Sequence, residues 1–359
     1  MNKHIFYIAA ACAALASCVK NEVRVNAPDK EITFQTVSTK AGGAAFETNK
    51  HFFSYAYFLE KGRTWDADHA DAKAYIDNAL ITYITPPSGA SYWAAADTYY
   101  WPKQGSLTFF AWTDNTIHDP TNNPVPSIAG DGASVTCAHD TGIKIENYSV
   151  MDNLNKDILV AEIAKDKENN ESATGRWEQG VPTVFRHALA KVEFKVNKKE
   201  AYSKVKFIVK KITLTEVSTR GTFTQYQSNP NPEKWGWNSW GIQKDLTVFT
   251  GNEEVTETAK AGTYNELTPS ATDYSIVLPQ VLKDKIDPKL TIVYDIITSY
   301  AGKPVTETVT DTKDLKDIYK NDWECNRKYV LGITLGLNEI YWDPSVVDWE
   351  DGTVTDIPF

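Results

Sequence analysis

Apolar and polar residues alternate along most of this chain, and the clearest stretch is HALAKVEFKV, residues 187–196. Ala190, Val192, Phe194 and Val196 fall on one side, and Lys191, Glu193 and Lys195 fall on the other. A period of two with one dry face predicts a strand in a sandwich or barrel wall. In KVKFIVKKITLTEV, residues 204–217, Val205, Phe207 and Val209 share one parity while Ile212 and Leu214 share the opposite one. The switch at Lys210 and Lys211 predicts a β-bulge or a bend between sheets. Further strands are predicted at LTFFAW (107–112), DILVAEIA (157–164), YSIVLPQ (274–280), KLTIVYDIIT (289–298) and RKYVLGITLGL (327–337). Spacing at i, i+3, i+4 is sustained almost nowhere. The best helix candidate is residues 66–80, with Tyr75, Ile76 and Leu80 on an apolar face and aspartates at its start.

The turn-rich run DKENNESATGRWEQGV, residues 166–181, reads as a linker or as a long surface loop. Roughly 340 residues beyond the N-terminal apolar leader is too long for one small sandwich and comfortable for two domains. The chain has 11 Trp, 18 Tyr and 14 Phe against 2 Met, a balance that favours sheets over helices. The expected organisation is a signal segment at 1–17, a tether at 18–30, and β-rich domains at 31–178 and 179–359.

Lys3 followed by an apolar run from Ile5 to Ala16 has the layout of a secretory signal peptide, too short to span a bilayer. Leu15-Ala16-Ser17-Cys18 resembles the lipobox of bacterial lipoproteins, in which the cysteine is acylated and becomes the new N-terminus. Cys18 is then the lipid attachment residue; the alternative is an ordinary signal peptide with Cys18 incidental. Acylation holds a protein on a membrane without a transmembrane helix. The formal net charge of −10 argues against nucleic acid as a partner. Cys137 and Cys325 remain as either a disulfide across the two halves or two buried free thiols.

The chain carries no HExxH, GxSxG, P-loop or Rossmann glycine pattern. His51, His69, His118, His139 and His187 stand at no ligand spacing from one another. Asp66, Asp68 and Asp71 fail the EF-hand pattern, with Asp71 where the glycine is needed, and read as a charged helix start. Trp235, Trp237 and Trp240 lie within six residues. Exposed, they would stack on sugars; packed inward, they would fill a hairpin. Neither an enzyme nor a cofactor or metal site is expected.

The strings EITFQTVSTKAGG, YYWPKQGSLTFFAWTDN, FRHALAKVEFKV, YSIVLPQ and YVLGITLGLNEIYWDPSVVDW, spread from about residue 31 to 349, together resemble the fimbrillin family of Bacteroides-type bacteria. The resemblance implies two transthyretin-like β-sandwich domains in tandem and export as an outer-membrane lipoprotein, surface-exposed and later part of a fimbrium. It also implies assembly by strand exchange with other fimbrial subunits, in a homo- or hetero-polymer that supports adhesion to host or bacterial surface glycans or proteins. The removable first strand would be Ile32 to Val37, with Ile32 and Phe34 pointing into the core. Family members are cut after an arginine just past that strand; here the matching residue is Lys40, and a cut at Arg24 would release the lipid yet leave the strand in place. The donor segment would lie in 340–359, with Ile340, Trp342, Val347 and Trp349 as apolar knobs, and Pro344 is expected to split it into two short strands. The alternative is that the residues before Pro344 form an ordinary last strand. Two further roles stay open: a lipid-retained anchor at the fimbrial base, and a glycan-binding lipoprotein that uses Trp235 to Trp240.

Overall fold

The computed structural model describes residues 31–37, 46–122, 125–168, 180–199, 204–225, 235–239, 243–256, 264–282, 288–338 and 340–349. In the first part of the chain the strands are β1 (Phe34–Val37), β2 (His51–Leu59), β3 (Lys73–Ile84), β4 (Tyr92–Ala95), β5 (Ser106–Thr113), β6 (Ser134–Ala138), β7 (Gly142–Ser149), β8 (Leu159–Ala161) and β9 (Ala164–Lys167). There follow β10 (Val181–His187), β11 (Ala190–Lys198), β12 (Val205–Ser218), β13 (Arg220–Thr224), β14 (Gly236–Ser239) and β15 (Gln243–Glu254). The last are β16 (Asn265–Glu266), β17 (Ile276–Val277), β18 (Lys289–Tyr300), β19 (Lys303–Asp314), β20 (Arg327–Leu335) and β21 (Ile340–Asp348). Two single-turn helices, α1 (Trp65–Asp68) and α2 (Leu315–Ile318), accompany them. The protein is mainly β, two transthyretin-like β-sandwich domains in tandem.

The first domain is built on a closed circuit. Strand pairing runs β2-β3-β4-β1-β10-β8-β5 and returns to β2, with β9 added beside β5. Inside the circuit lies an aromatic core of Phe34, Phe52, Trp93, Trp101, Phe109 and Phe185 with Ile32, Ile76, Ile81 and Leu107. Strand β5 is the shared wall. All eight of its residues are buried, because Leu107, Phe109 and Ala111 face that core while Phe110 and Trp112 face a second, larger one. This is why its apolar residues, Leu107 and Phe109 to Trp112, occupy both parities.

The second core is enclosed by two further sheets, β16-β11-β20-β21 with β17 added, and β15-β12-β18-β19. A fourth sheet, β14-β13-β7-β6, joins segments from before and after residue 178. Strand β11 has its four apolar residues buried, Ala190, Val192, Phe194 and Val196, as its alternation predicts. Against β18, two steps of β12 from Val209 to Lys211 face one step from Tyr294 to Val293, so Lys210 is the extra residue there, and Phe207, Val209, Ile212 and Leu214 all stay buried. The predicted bulge is there.

Residues 66–80 do not form one helix. Only α1 and a 3₁₀ turn at His69–Asp71 are helical, after which Ala72 is extended and β3 begins. Asn78 has φ +52, and three steps of β3 from Ile76 to Ala79 face two steps of β2 from Ala56 to Ser54. That bulge puts residues three apart on one core face, which imitates a helical period. Asp68 does serve a helix start, its Oδ2 accepting the Thr64 backbone N–H at 2.9 Å. Pro344 does not split the last strand: β21 runs unbroken beside β20 from Ile340 to Asp348. As an edge strand paired on one side only, it tolerates a residue without an N–H.

Strand β1 is fitted tightly against β10. At Gly180, where φ is +99, a Cβ would lie 2.7 Å from the Phe34 carbonyl carbon and 2.9 Å from its N and O. Gly180→Ala should therefore destabilise the fold by about 2 kcal/mol and speed hydrogen exchange at Gln35 and Val37 before it affects β11 or β20. Phe110 is 1 % exposed and meets Trp65 edge-on at 5.5 Å. Phe110→Ala should cost about 3–5 kcal/mol in chemical denaturation, whereas Thr310→Ala on exposed β19 should stay within about 0.5 kcal/mol of the parent.

Candidate functional site

The seat of β1 is where backbone pairing and apolar burial converge. On one side Phe34 to Val37 run parallel to Val181 to Val184 of β10. On the other, Phe34 pairs with Trp93 of β4, the Ile32 N–H donates to the Tyr99 carbonyl at 2.8 Å, and Glu31 bridges Tyr100. Ile32 is 2 % exposed and Phe34 3 %. The Phe34 ring meets Phe52 and Phe109 edge-on, at 5.7 and 5.9 Å between centroids. Burial of two such side chains contributes about 2–3 kcal/mol each. The family resemblance pointed to Ile32 and Phe34; nothing in the sequence marked β4 and β10 as their neighbours, or Gly180.

The expected donor residues fall on three surfaces. Ile340 and Trp342 pair with Leu335 and Ile333 and pack against the second core. Val347 pairs with Lys328 on the opposite face of the sheet. Trp349 is buried and lies flat on the His187 ring, 3.8 Å between centroids at an interplanar angle of 3°. That imidazole also meets Asp157 Oδ2 through Nδ1 at 2.8 Å, and Asp157 accepts from Asn115 Nδ2 at 3.0 Å. Asn326 completes the node, its Oδ1 accepting the His187 N–H and its carbonyl accepting the Trp349 N–H at 3.0 Å. Strand β21 is thus moored at its far end to the end of β10.

Of the three tryptophans, Trp235 is 5 % exposed and Trp237 is partly buried; both pack on Phe223, and the Trp237 indole N–H donates to the Ala188 carbonyl. Trp240 lies outside the described residues, as do Cys18, Arg24 and Lys40. Cys137 and Cys325 are free thiols, and burial raises the pKa of both. His51 and His118, far apart in sequence, bring their Nδ1 atoms to 3.2 Å. Burial lowers the His51 pKa, opposed by the nearby Asp114 carboxylate. No group of three or more metal-ligating side chains gathers among the described residues. A surface depression is lined by Glu60, Arg63, Asp71 and Lys73, whose charges are already paired, Arg63 with Asp71 and Lys73 with Glu60. No helix among the described residues is long and apolar enough to cross a membrane.

Comparison with solved structures finds a similar fold in a fimbrial protein from Bacteroides vulgatus, at 16% identity and a TM-score of 0.62, covering 89% of this chain and 100% of that one. A protein described as a cell adhesion protein from Bacteroides uniformis matches at 14% identity and a TM-score of 0.48, over 89% of this chain and 98% of that one. The tip fimbrial protein Mfa3 from Porphyromonas gingivalis, with C-terminal truncation, matches at 10% identity and a TM-score of 0.37, over 85% of this chain and 95% of that one. Of the three, only the first carries structural weight. No curated protein sequence matches. The family model described as fimbrillin-like matches residues 39–349, nearly the whole of both β domains, and the chain belongs to that family.

Proposed function

We propose that this protein is a non-catalytic structural or accessory subunit of surface fimbriae that assembles by strand exchange. The observation that carries the reading is the place of β1 in the circuit. It is a short strand with β4 on one side and β10 on the other, and it follows directly on a segment expected to carry the lipid. A cut at Lys40 would free it. Its departure would leave two facing strand edges with unpaired backbone groups, beside a slot that Ile32 and Phe34 had filled. An incoming strand satisfies the edges and refills the slot together. Insertion of a strand from one subunit into the next is a head-to-tail contact that does not close on itself, so it grows a filament.

Membership of the fimbrillin-like family and the fold shared with the Bacteroides vulgatus fimbrial protein support this reading. Its partners are then other fimbrial subunits, and the acylated Cys18 delivers the precursor to the outer membrane. Lysine at position 40, where the family pattern has arginine, decides between a polymerising subunit and a lipid-retained anchor.

Intact mass and N-terminal sequencing of protein from the native cell surface should find chains beginning at Ala41. Acylated Cys18 on every molecule would instead make the protein the anchor and end the polymerising reading. Cys18→Ala should remove the acyl mass and move the precursor from the membrane pellet to the soluble fraction; unchanged sedimentation would overturn the lipid assignment.

A further inference from the structure

Lys50 stands just before β2, beside the chain that leaves β5. The two strands pair Phe53 with Trp112, and an unbroken ladder would set Lys50 opposite Asn115. Instead Lys50 bridges Ile117, and Asn115 steps out of the ladder at φ +56, a left-handed conformation that asparagine tolerates. The Asn115 side-chain amide lies against the lysine amine, with Lys50 Nζ donating to Oδ1 at 2.8 Å. A carbonyl bond is about 1.2 Å long, so Nζ is no more than about 4 Å from the amide carbon. Attack on a carbonyl starts from about 3–3.5 Å.

The other end of the same amide is held by a carboxyl group. Asn115 Nδ2 donates to Asp157 Oδ2 at 3.0 Å, and His187 Nδ1 meets that oxygen at 2.8 Å. Asp157 Oδ1 is buried and has no hydrogen-bond partner among the described residues, so an oxygen able to carry a proton stands beside the nitrogen. The Lys50 and Asp157 side chains are 14 % and 12 % exposed. An amide linkage carries no charge to desolvate, so seclusion favours a condensed pair over an ammonium facing an amide. Amine, amide carbon and carboxyl in one row supply nucleophile, electrophile and acid–base group. We propose that Lys50 Nζ and Asn115 Cγ condense into an isopeptide bond, with Asp157 as the proton carrier and His187 as its positioning residue.

The step balances with the groups in place. The Lys50 ammonium gives one proton to Glu47, whose Oε1 is 3.2 Å from Nζ on the solvent side. Neutral Nζ then adds to Cγ, and Oδ1 takes up the electron pair of the carbonyl. In the adduct both nitrogens hang on one carbon, so Asp157, already against Nδ2, takes a proton from Nζ and returns one to Nδ2. The carbonyl re-forms, the Cγ–Nδ2 bond breaks, and ammonia leaves with the proton that Glu47 held. One ammonium is consumed and one released, without change of oxidation state. The product closes a covalent loop between residues 65 apart and fastens the start of β2 to the exit of β5. It does so whether or not β1 is exchanged.

The test is mass spectrometry of the folded full chain carrying Cys18→Ala, so that no acyl mass intervenes. The protein should be lighter than the sum of its residues by one ammonia. Trypsin should leave Lys50 uncut and yield one branched peptide that joins Lys50 to Asn115. Lys50→Arg should restore the full mass, and Asn115→Asp should lose one water in place of ammonia, which separates the bond from a cyclised asparagine. Asp157→Ala, with an unchanged circular dichroism spectrum, should slow formation of the bond at least tenfold; an unchanged rate would overturn the part given to Asp157. A parent chain at full mass with Lys50 cut by trypsin would overturn the proposal, whatever the fold of the variants. So would an ammonia loss that persists in Lys50→Arg, which would place it elsewhere in the chain.

Discussion

The circuit of strands in the first domain is closed only while a short segment lies between β4 and β10, and the aromatic core depends on that closure. Phe34 brings Phe52 and Phe109 into edge contact, and Ile32 seals the end of the core next to Tyr99. A closed circuit has no free edges; an interrupted one has two, lined by a hydrophobic slot. The same few residues thus account for the closure of the circuit and, under the strand-exchange proposal, would set what an incoming strand has to replace. Gly180 shows how close the fit is, since a side chain there would occupy the space of the Phe34 backbone.

The second domain holds its last described strand firmly at a sheet edge. Strand β21 is an ordinary edge strand with a full ladder on β20, and Trp349 anchors its end on His187. Trp349 is thereby fixed at the end of β10, the strand that also pairs with β1.

Much of this was legible where burial is one-sided. Strand β11 and the bulged β12 carry alternation that survives into the fold, whereas Ile32 and Phe34 were pointed to by the family resemblance. Strand β3 did not, because the bulge at Asn78 changed its period from two to three. Strand β19 carries no continuous apolar face, since it is an exposed edge whose Thr and charged residues look like loop. Pro344 misled in the other direction, for the rule against proline in strands does not bind at an edge. The neighbours of β1 were beyond sequence reasoning altogether: Trp93 and Val181 lie far from Phe34 along the chain, and pairing across such separations leaves no local signature. The tryptophan cluster was ambiguous until Phe223 and the Ala188 carbonyl were seen to engage Trp235 and Trp237.

The most direct measurement is a cryo-electron microscopy map of the native fibre at a resolution that traces the backbone between β4 and β10. The account predicts a strand between β4 and β10 that belongs to a neighbouring subunit, with an apolar side chain seated between Phe52 and Phe109. Density there that connects to residue 46 of the same copy, with Ile32 and Phe34 still in place, would contradict it.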